Sequence, residues 1–233
     1  MMSRLHVNIG WLLGGALVLT PAMAESNVLL TGQTRYVRAT AGDAFDTASH
    51  QINAPGYGLF DDSTSITFFS DLGSGGGTAN ATQTSFVHPQ VITASGQGDG
   101  SGGGGVGTGY ATGLSVLQVT FDVLTPTPYT LEGMIRADEF FSHASASLSG
   151  PGGMLVDEQI GEFLGSWATL DFTGNDAYVG VLEPGTYTLD LRASGSGVND
   201  SSLALFDVRL TIPEPACALL VLAGLMGVMR RSA

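Results

Sequence analysis

Lysine is absent from this chain of 233 residues, and basic side chains are few. All eight basic residues are arginines, against 21 aspartates and glutamates, which gives a formal net charge of −13. Without lysine the chain can form neither a Walker A loop for nucleotide phosphates nor a Schiff base. A strongly anionic chain also lacks the basic face that nucleic-acid binding requires. The composition therefore argues against nucleic acid as a partner.

Cysteine is nearly absent as well. The chain has one cysteine, Cys217, so residues 25–211 contain no thiol. This part of the chain therefore has no disulfide, no cysteine nucleophile and no cysteine-based zinc site. Its stability must come from a packed core, alone or together with bound cations.

The N-terminal 24 residues have the pattern of a secretory signal peptide. Arg4 precedes an apolar stretch over residues 9–19, and Ala22 and Ala24 form an A-x-A cleavage site before Glu25. The apolar stretch is too short for a membrane anchor. We therefore expect signal peptidase to release a mature chain that begins at Glu25.

The last 22 residues contain, in order, a Pro-Glu-Pro tripeptide, an uncharged apolar run and a pair of arginines. These are Pro213, Glu214 and Pro215, then residues 216–229, then Arg230 and Arg231. As a helix the apolar run spans about 21 Å, less than the ~30 Å hydrocarbon core of a bilayer. It would span with local thinning of the bilayer, while the arginines stay on the cytoplasmic side.

This order of features at the C-terminus resembles the PEP-CTERM sorting signal of bacterial exported proteins. The resemblance covers residues 212–233. It implies that a membrane-embedded exosortase cuts near the tripeptide. The protein would then pass from transient anchorage in the inner membrane to the cell surface or extracellular matrix of a Gram-negative-type bacterium. The alternative is an uncleaved anchor, in which residues 216–229 stay in the membrane.

Between the two signals, residues 25–211 form one predicted β domain. Apolar and polar residues alternate in many runs; for example, Tyr187, Leu189 and Leu191 share one face of a predicted strand. Turn sequences such as Glu183-Pro184-Gly185 separate the runs. Nine strands are predicted, over residues 33–39, 64–69, 82–92, 114–123, 129–137, 144–149, 168–172, 186–193 and 203–212. The prediction is an all-β, two-sheet antiparallel sandwich, jelly-roll-like, flanked by an N-terminal signal helix and a short C-terminal apolar helix.

Glycine occupies nine of the 14 positions from 96 to 109. Glycine loses much backbone entropy when it is ordered and offers no side chain to bury. We therefore predict a flexible loop here, inside the domain and between two strands.

Carboxylate pairs are the candidate metal ligands. Asp61 and Asp62 lie at a predicted turn after residues 56–60, and Asp157 lies next to Glu158; residues 138–139 form a further acidic pair. Carboxylates and turn carbonyls are the hard oxygen ligands that Ca²⁺ prefers. The alternative is that these are solvated loop charges that keep the domain soluble. No other cofactor is predicted.

Catalytic patterns are missing from the sequence. The histidines of residues 25–211 have no metal-ligand spacing, and there is no G-x-S-x-G elbow. A glycosidase would need two carboxylates across a cleft, which the sequence does not specify. Trp167, the one tryptophan of this region, is a candidate for stacking on sugar rings.

These observations predict a non-catalytic exported protein of the cell surface or extracellular matrix, associated with exopolysaccharide. Its processing partners would be signal peptidase and an exosortase. The alternative is a carbohydrate-binding module or weak carbohydrate-active enzyme on a jelly-roll scaffold.

Overall fold

The computed structural model describes residues 26–69, 75–103, 109–138, 141–161, 168–198 and 200–213. These ranges are almost entirely β-strand, with one 3-10 turn at Gly174–Asp176. In chain order the strands are β1 (Val28–Gly42), β2 (Thr47–Asn53), β3 (Gly58–Phe69), β4 (Gly76–His88), β5 (Val91–Gly103), β6 (Tyr110–Val123), β7 (Thr127–Asp138), β8 (Ser142–Gly150), β9 (Gly153–Gly161), β10 (Ala168–Asp171), β11 (Tyr178–Leu182), β12 (Gly185–Val198) and β13 (Ser201–Thr211). The two predicted flanking helices lie outside the described residues.

The strands form two antiparallel sheets that stack face to face, as predicted. Sheet A has the order β2-β1-β6-β12-β8-β9, and sheet B has the order β10-β7-β13-β5-β4-β3. β11 pairs with β7 on the same side as β10, next to it along the strand. Sheet A covers sheet B so that β1 lies over β3 and β4, while β12 lies over β5 and β13.

The connectivity from β5 to β13 is that of a jelly roll. Strands β6, β12, β8 and β9 form one four-stranded layer, and β5, β13, β7 and β10 form the other. The chain crosses between the layers at almost every step, as in two interlocked Greek keys. The hairpin β1–β2 extends sheet A beside β6, and β3–β4 extends sheet B beside β5.

The chain enters and leaves the sandwich at the same end. Val28 pairs with Val123 in sheet A, and Thr211 pairs with Thr130 in sheet B, immediately beyond the short β6–β7 turn. We call this the proximal end. The opposite, distal end carries Val198 and Ser201, where β12 turns into β13.

Large apolar side chains fill the proximal and central parts of the core. In β12 the predicted alternation is confirmed, because Tyr187, Leu189 and Leu191 are buried. The Tyr187 ring stacks on Phe121 at 5.8 Å between centroids. Phe206 of β13 and many aliphatic side chains of both sheets belong to the same cluster. Toward the distal end the core consists of a second, smaller hydrophobic cluster, which contains Ala39, Ala41, Ala79 and Ala111.

The glycine-rich segment is not the predicted loop over residues 96–103, which belong to β5. Gly96, Gly98, Gly100 and Gly102 alternate with more exposed residues and point into the sandwich. A Cβ atom on Gly102 would lie 2.5 Å from the backbone oxygens of Gly197 in β12 of sheet A and of Gly109, which immediately precedes β6. The glycines are therefore needed because the two sheets touch backbone to backbone here. Residues 104–108 lie outside the described residues.

Several predicted strand boundaries are wrong. The run predicted as one strand over residues 82–92 is split by the turn between His88 and Val91. Strands β2, β9 and β11 were not predicted at all. Their sequences are short or carry polar residues on both faces, as expected at sheet edges, where one side of the strand meets solvent.

Candidate functional site

An open cavity of about 400 Å³ lies on the outer face of sheet B, near its distal end. We call it the sheet B cavity. β5, β7 and β13 supply its lining, because each strand turns every second side chain toward solvent. The lining residues are Gln97, Asp99, Gly100, Ser101, Asp138, Ser201, Ser202 and Leu203.

Strand register sets the order of side chains across the cavity. Leu203 in β13 pairs with Asp138 on one side and with Asp99 on the other, and Asp99 in turn pairs with Asn80 of β4. Because paired residues of neighbouring strands project to the same face, these four side chains form one row. Two carboxylates thus flank a central leucine.

The next row along the strands repeats this pattern with different chemistry. Leu205 pairs with Arg136 of β7 and with Gln97 of β5. Both Leu203 and Leu205 are half-buried. Gln97 is the member of this row that lines the cavity. Together the two rows give the outer face of sheet B an apolar centre, with hydrogen-bonding groups on both sides.

Hydrogen bonds hold the two carboxylates in place. The Asn80 side chain donates to Asp99 Oδ1 at 2.8 Å, and the Gln97 amide lies 3.5 Å from Asp99 Oδ2. Arg136 Nε donates to Asp138 Oδ1 at 2.8 Å, an ion pair within one strand. Asp138 is only 8% exposed, and its backbone oxygen accepts a bond from the Ser142 hydroxyl.

This arrangement suits a ligand with an apolar face and a rim of hydroxyl groups. Carboxylates and amides are acceptors and donors for hydroxyls, whereas leucine packs against C–H groups. Oriented polar groups around an apolar floor are typical of sites that bind small polar molecules.

The structure does not bring together the four carboxylates predicted as Ca²⁺ ligands. Asp61 and Asp62 lie within β3, not at a turn, and Asp157 and Glu158 lie within β9. β3 and β9 are the edge strands on opposite sides of the sandwich. Adjacent residues of a strand also point to opposite faces, so neither pair converges on one ion. Within the described residues no group of three or more His, Cys, Asp or Glu side chains has a metal-binding arrangement.

Two of these carboxylates accept a hydrogen bond from a side chain of another strand. Asp61 accepts a hydrogen bond from the Thr84 hydroxyl at 2.8 Å. Glu158 accepts a hydrogen bond from the Tyr178 hydroxyl, which links β9 of sheet A to β11 of sheet B. That bond, together with partial burial and the glutamate charge, raises the pKa of Tyr178 to about 12.

A buried arginine was missed by sequence reasoning. Arg35 points inward from β1 and is 2% exposed. Its guanidinium donates to the carbonyl oxygens of Gly56 and Gly58 and to the Ser85 hydroxyl, and it lies 5.7 Å from the ring centroid of Phe60. Burial lowers the pKa of Arg35, yet an arginine remains charged at neutral pH. The arrangement anchors the β2–β3 connection to β1 and β4.

The remaining predicted site residues fall mostly outside the described residues. This holds for Trp167, for Ala22, Ala24 and Glu25 of the signal cleavage site, and for Glu214, Pro215, Arg230 and Arg231 of the sorting motif. Pro213 is described and exposed at the proximal end. In the described part of the chain no helix is long and apolar enough to cross a membrane.

Sequence reasoning also missed most of the sheet B cavity. Asp99 stands among glycines that the sequence predicts to be a loop, and no sequence pattern links it to Asn80 or Leu203. The available signal was the alternation of Gln97, Asp99 and Ser101 with glycine. Period two predicts a strand with one polar face even when the other face has no side chains.

Comparisons with known proteins identify no family. No protein-family model matches the chain. No curated protein matches it either. Among solved structures, it is similar to the enzymatically active domain of tailspike protein 4 of bacteriophage CBA120, with 14% identity and a TM-score of 0.27. The match covers 58% of this chain and 19% of the tailspike chain. A TM-score this low does not establish a common fold.

Proposed function

We propose that this chain is an exported, non-catalytic protein of the cell surface or extracellular matrix that binds neutral polysaccharide in the sheet B cavity. The observation that carries the proposal is the row Asp138–Leu203–Asp99–Asn80, with the parallel row through Leu205. Export and sorting rest on the two terminal signals of the sequence.

The chemistry of the cavity favours a neutral glycan over other ligands. A pyranose ring has an apolar C–H face that fits over Leu203 and Leu205, and its equatorial hydroxyls reach sideways to acceptors. Asp99 and Asp138 are fixed by Asn80 and Arg136, so they are pre-oriented and little side-chain entropy is lost on binding. The net charge of −13 disfavours polyanionic glycans.

The position of the cavity is consistent with display away from the cell. The sorting segment continues from Pro213 at the proximal end, whereas the cavity lies at the distal end of β13. At about 3.3 Å per residue, β13 spans roughly 33 Å from Ser201 to Thr211. A chain held by its C-terminal segment would therefore present the cavity on the side remote from the membrane.

Two experiments test this proposal. A glycan array probed with the mature chain should give signal on neutral polysaccharides and little on sulfated or uronic-acid glycans. Binding confined to acidic glycans, or no binding at all, would refute the ligand assignment. Mass spectrometry of protein from the extracellular fraction should find chains that begin at Glu25 and end near Pro215. Membrane-bound chains that all retain Arg230 and Arg231 would instead indicate a permanent anchor.

The alternative is a carbohydrate-active enzyme that uses Asp99 and Asp138. Two strand spacings separate them, so their Cα atoms lie roughly 10 Å apart, and the carboxyl separation of an inverting glycosidase is of similar size. Such an enzyme needs one carboxyl that carries a proton and donates it to the leaving group, whereas Asp138 is held in an ion pair with Arg136. Release of reducing sugar that is lost in Asp99→Asn would favour the enzyme.

A further inference from the structure

One side of the sandwich ends in two unprotected strand edges, β2 of sheet A and β3 of sheet B. Among the described residues no strand pairs with the outer side of either. β3 is 12 residues long and pairs with β4 in one uninterrupted register from Gly58 to Phe69. An edge strand of this length exposes a row of unpaired N–H and C=O groups.

These edges lack most of the devices that normally block edge-to-edge pairing, namely lysine, proline, a bulge or a very short strand. β3 contains no lysine, arginine, proline or bulge, and its charges are Asp61 and Asp62. β2 contains no charged residue apart from the titratable His50. The opposite side of the sandwich differs, because the pairing of β8 with β9 contains an irregularity, and β10 and β11 are short.

We propose that this side binds a second copy of the chain, with β3 pairing antiparallel with β3 of the copy around a two-fold axis at Thr64. The register then follows from symmetry, since residue numbers that face each other sum to 128. Pairs of this kind match odd with odd and even with even positions, so outward side chains meet outward side chains.

The register joins apolar groups and keeps carboxylates apart. Leu59 would face Phe69 of the copy at both ends of the strand pair, and these side chains are 69% and 81% exposed in the single chain. Asp61 would face Thr67, and Ser63 would face Ser65. No carboxylate opposes a carboxylate.

The same two-fold axis also passes the midpoint of the β2 edge. His50 is the central residue of Thr47–Asn53, and its Nδ1 lies 2.7 Å from the hydroxyl of Thr64. The midpoints of both edges are therefore aligned across the two sheets. One two-fold axis through this contact pairs β2 with β2 and β3 with β3, so that both sheets continue across the interface.

In this geometry the dimer forms only after the chains are released from the membrane. That conclusion rests on the proposed function, which includes the membrane-anchored stage. Antiparallel pairing points the two proximal ends, and therefore the two Pro213 residues, in opposite directions. Two copies anchored in the same membrane cannot adopt this arrangement. Both sheet B cavities face the same side of the dimer, so a released pair would bind polysaccharide bivalently.

Charge at the edge provides the first test. In sedimentation equilibrium of residues 25–215, which contain the complete sandwich, we expect a dimer. Ser63→Lys with Ser65→Lys puts like charges opposite each other twice and should raise the dissociation constant at least about tenfold. Thr82→Lys with Thr84→Lys makes the same change one strand inward and should leave the constant unchanged. A monomer at about 100 μM wild-type protein, or equal effects of both variants, would overturn the proposal.

Disulfide trapping tests the register itself. Residues 25–215 contain no cysteine. A mixture of Ser63→Cys and Ser65→Cys chains should form mixed disulfide dimers, because these positions face each other. Each variant alone should not, since its two thiols sit diagonally, with Cα atoms about 7–8 Å apart. Efficient bridging by either variant alone, or none in the mixture, would contradict the register. Monomer and dimer should bind monosaccharide probes with the same affinity. Failure of the dimer proposal would therefore leave the glycan-binding proposal standing, and failure of glycan binding would leave the dimer standing.

Discussion

Gly98 of β5 faces the backbone carbonyl of Gly113 in β6, and a Cβ atom on Gly98 would overlap that oxygen and lie 2.9 Å from the carbonyl oxygen of Ala193. Stacked sheets usually lie about 10 Å apart, separated by side chains. Here glycine removes the side chains from β5, so the sheets meet through backbone atoms. The outer face of β5, with Gln97 and Asp99, is thereby supported by a rigid backbone layer.

Gly98→Ala should destabilise the fold strongly. The added methyl group meets backbone atoms of sheet A, which cannot move without separating the sheets, so we expect a loss of about 3 kcal/mol or more in the free energy of unfolding. Urea denaturation measures this. Gly103→Ala is the matched control, because its Cβ would lie 3.5 Å from the nearest atom. Equal stability of the two variants would show that the sheets are not in backbone contact.

Arg35→Met should destabilise the chain by about 3 kcal/mol. Methionine keeps the length and apolar packing of the side chain but removes the donors to Gly56, Gly58 and Ser85, so the two carbonyl oxygens and the buried Ser85 hydroxyl lose hydrogen bonds. Arg38→Met, on the outward face of the same strand, should change stability by no more than about 0.5 kcal/mol. The urea midpoints of both variants decide this, and a small effect at position 35 would contradict the anchoring role.

The sequence pattern predicted those strands in which apolar side chains on the buried face alternate with polar side chains on the exposed face. In β12 and β13 large apolar residues alternate with polar ones, so strand type and buried face both followed from period two. In β5 the buried face consists of glycine, which gives no hydrophobic signal, and the segment was assigned to a loop. The sequence of β5 alone does not show that sheet A lies within contact distance of these glycines; only the tertiary structure does.

The candidate site was less predictable than the fold. Asp99, Asp138, Leu203 and Asn80 come from four strands, and only strand register makes them neighbours. Conversely, Asp157 and Glu158 are adjacent in sequence, but β9 turns them to opposite faces. Proximity in sequence was therefore a poor guide to ligand groups in an all-β protein.

The Tyr178–Glu158 hydrogen bond should stabilise the fold in a defined pH range. The pKa of Tyr178 is raised to about 12 in the folded chain, above the ordinary value of about 10 expected in the unfolded chain. The stabilisation is therefore complete below about pH 10 and disappears as the pH rises toward 12. Because Tyr178 is half-exposed, its size should be no more than about 1 kcal/mol.

Tyr178→Phe provides the test of that bond. The variant should be less stable than wild type at pH 8, and the difference should vanish near pH 12, as measured by urea unfolding at both values. Glu158→Gln removes the charged acceptor and should also shrink the difference. A stability difference that does not depend on pH would mean that the hydroxyl contributes through packing alone.

The central claim is that the sheet B cavity binds neutral polysaccharide, and the most direct measurement is calorimetric titration of the mature chain with neutral oligosaccharides from the array. Asp99→Asn should weaken binding about tenfold, equivalent to about 1.4 kcal/mol. Asp190→Asn is the matched control, because Asp190 also accepts a side-chain amide bond, from Gln118 at 2.9 Å, but on the outer face of sheet A. We expect weakened binding for Asp99→Asn and wild-type affinity for Asp190→Asn. Equal affinity of both variants, or no heat of binding for the wild type, would contradict it.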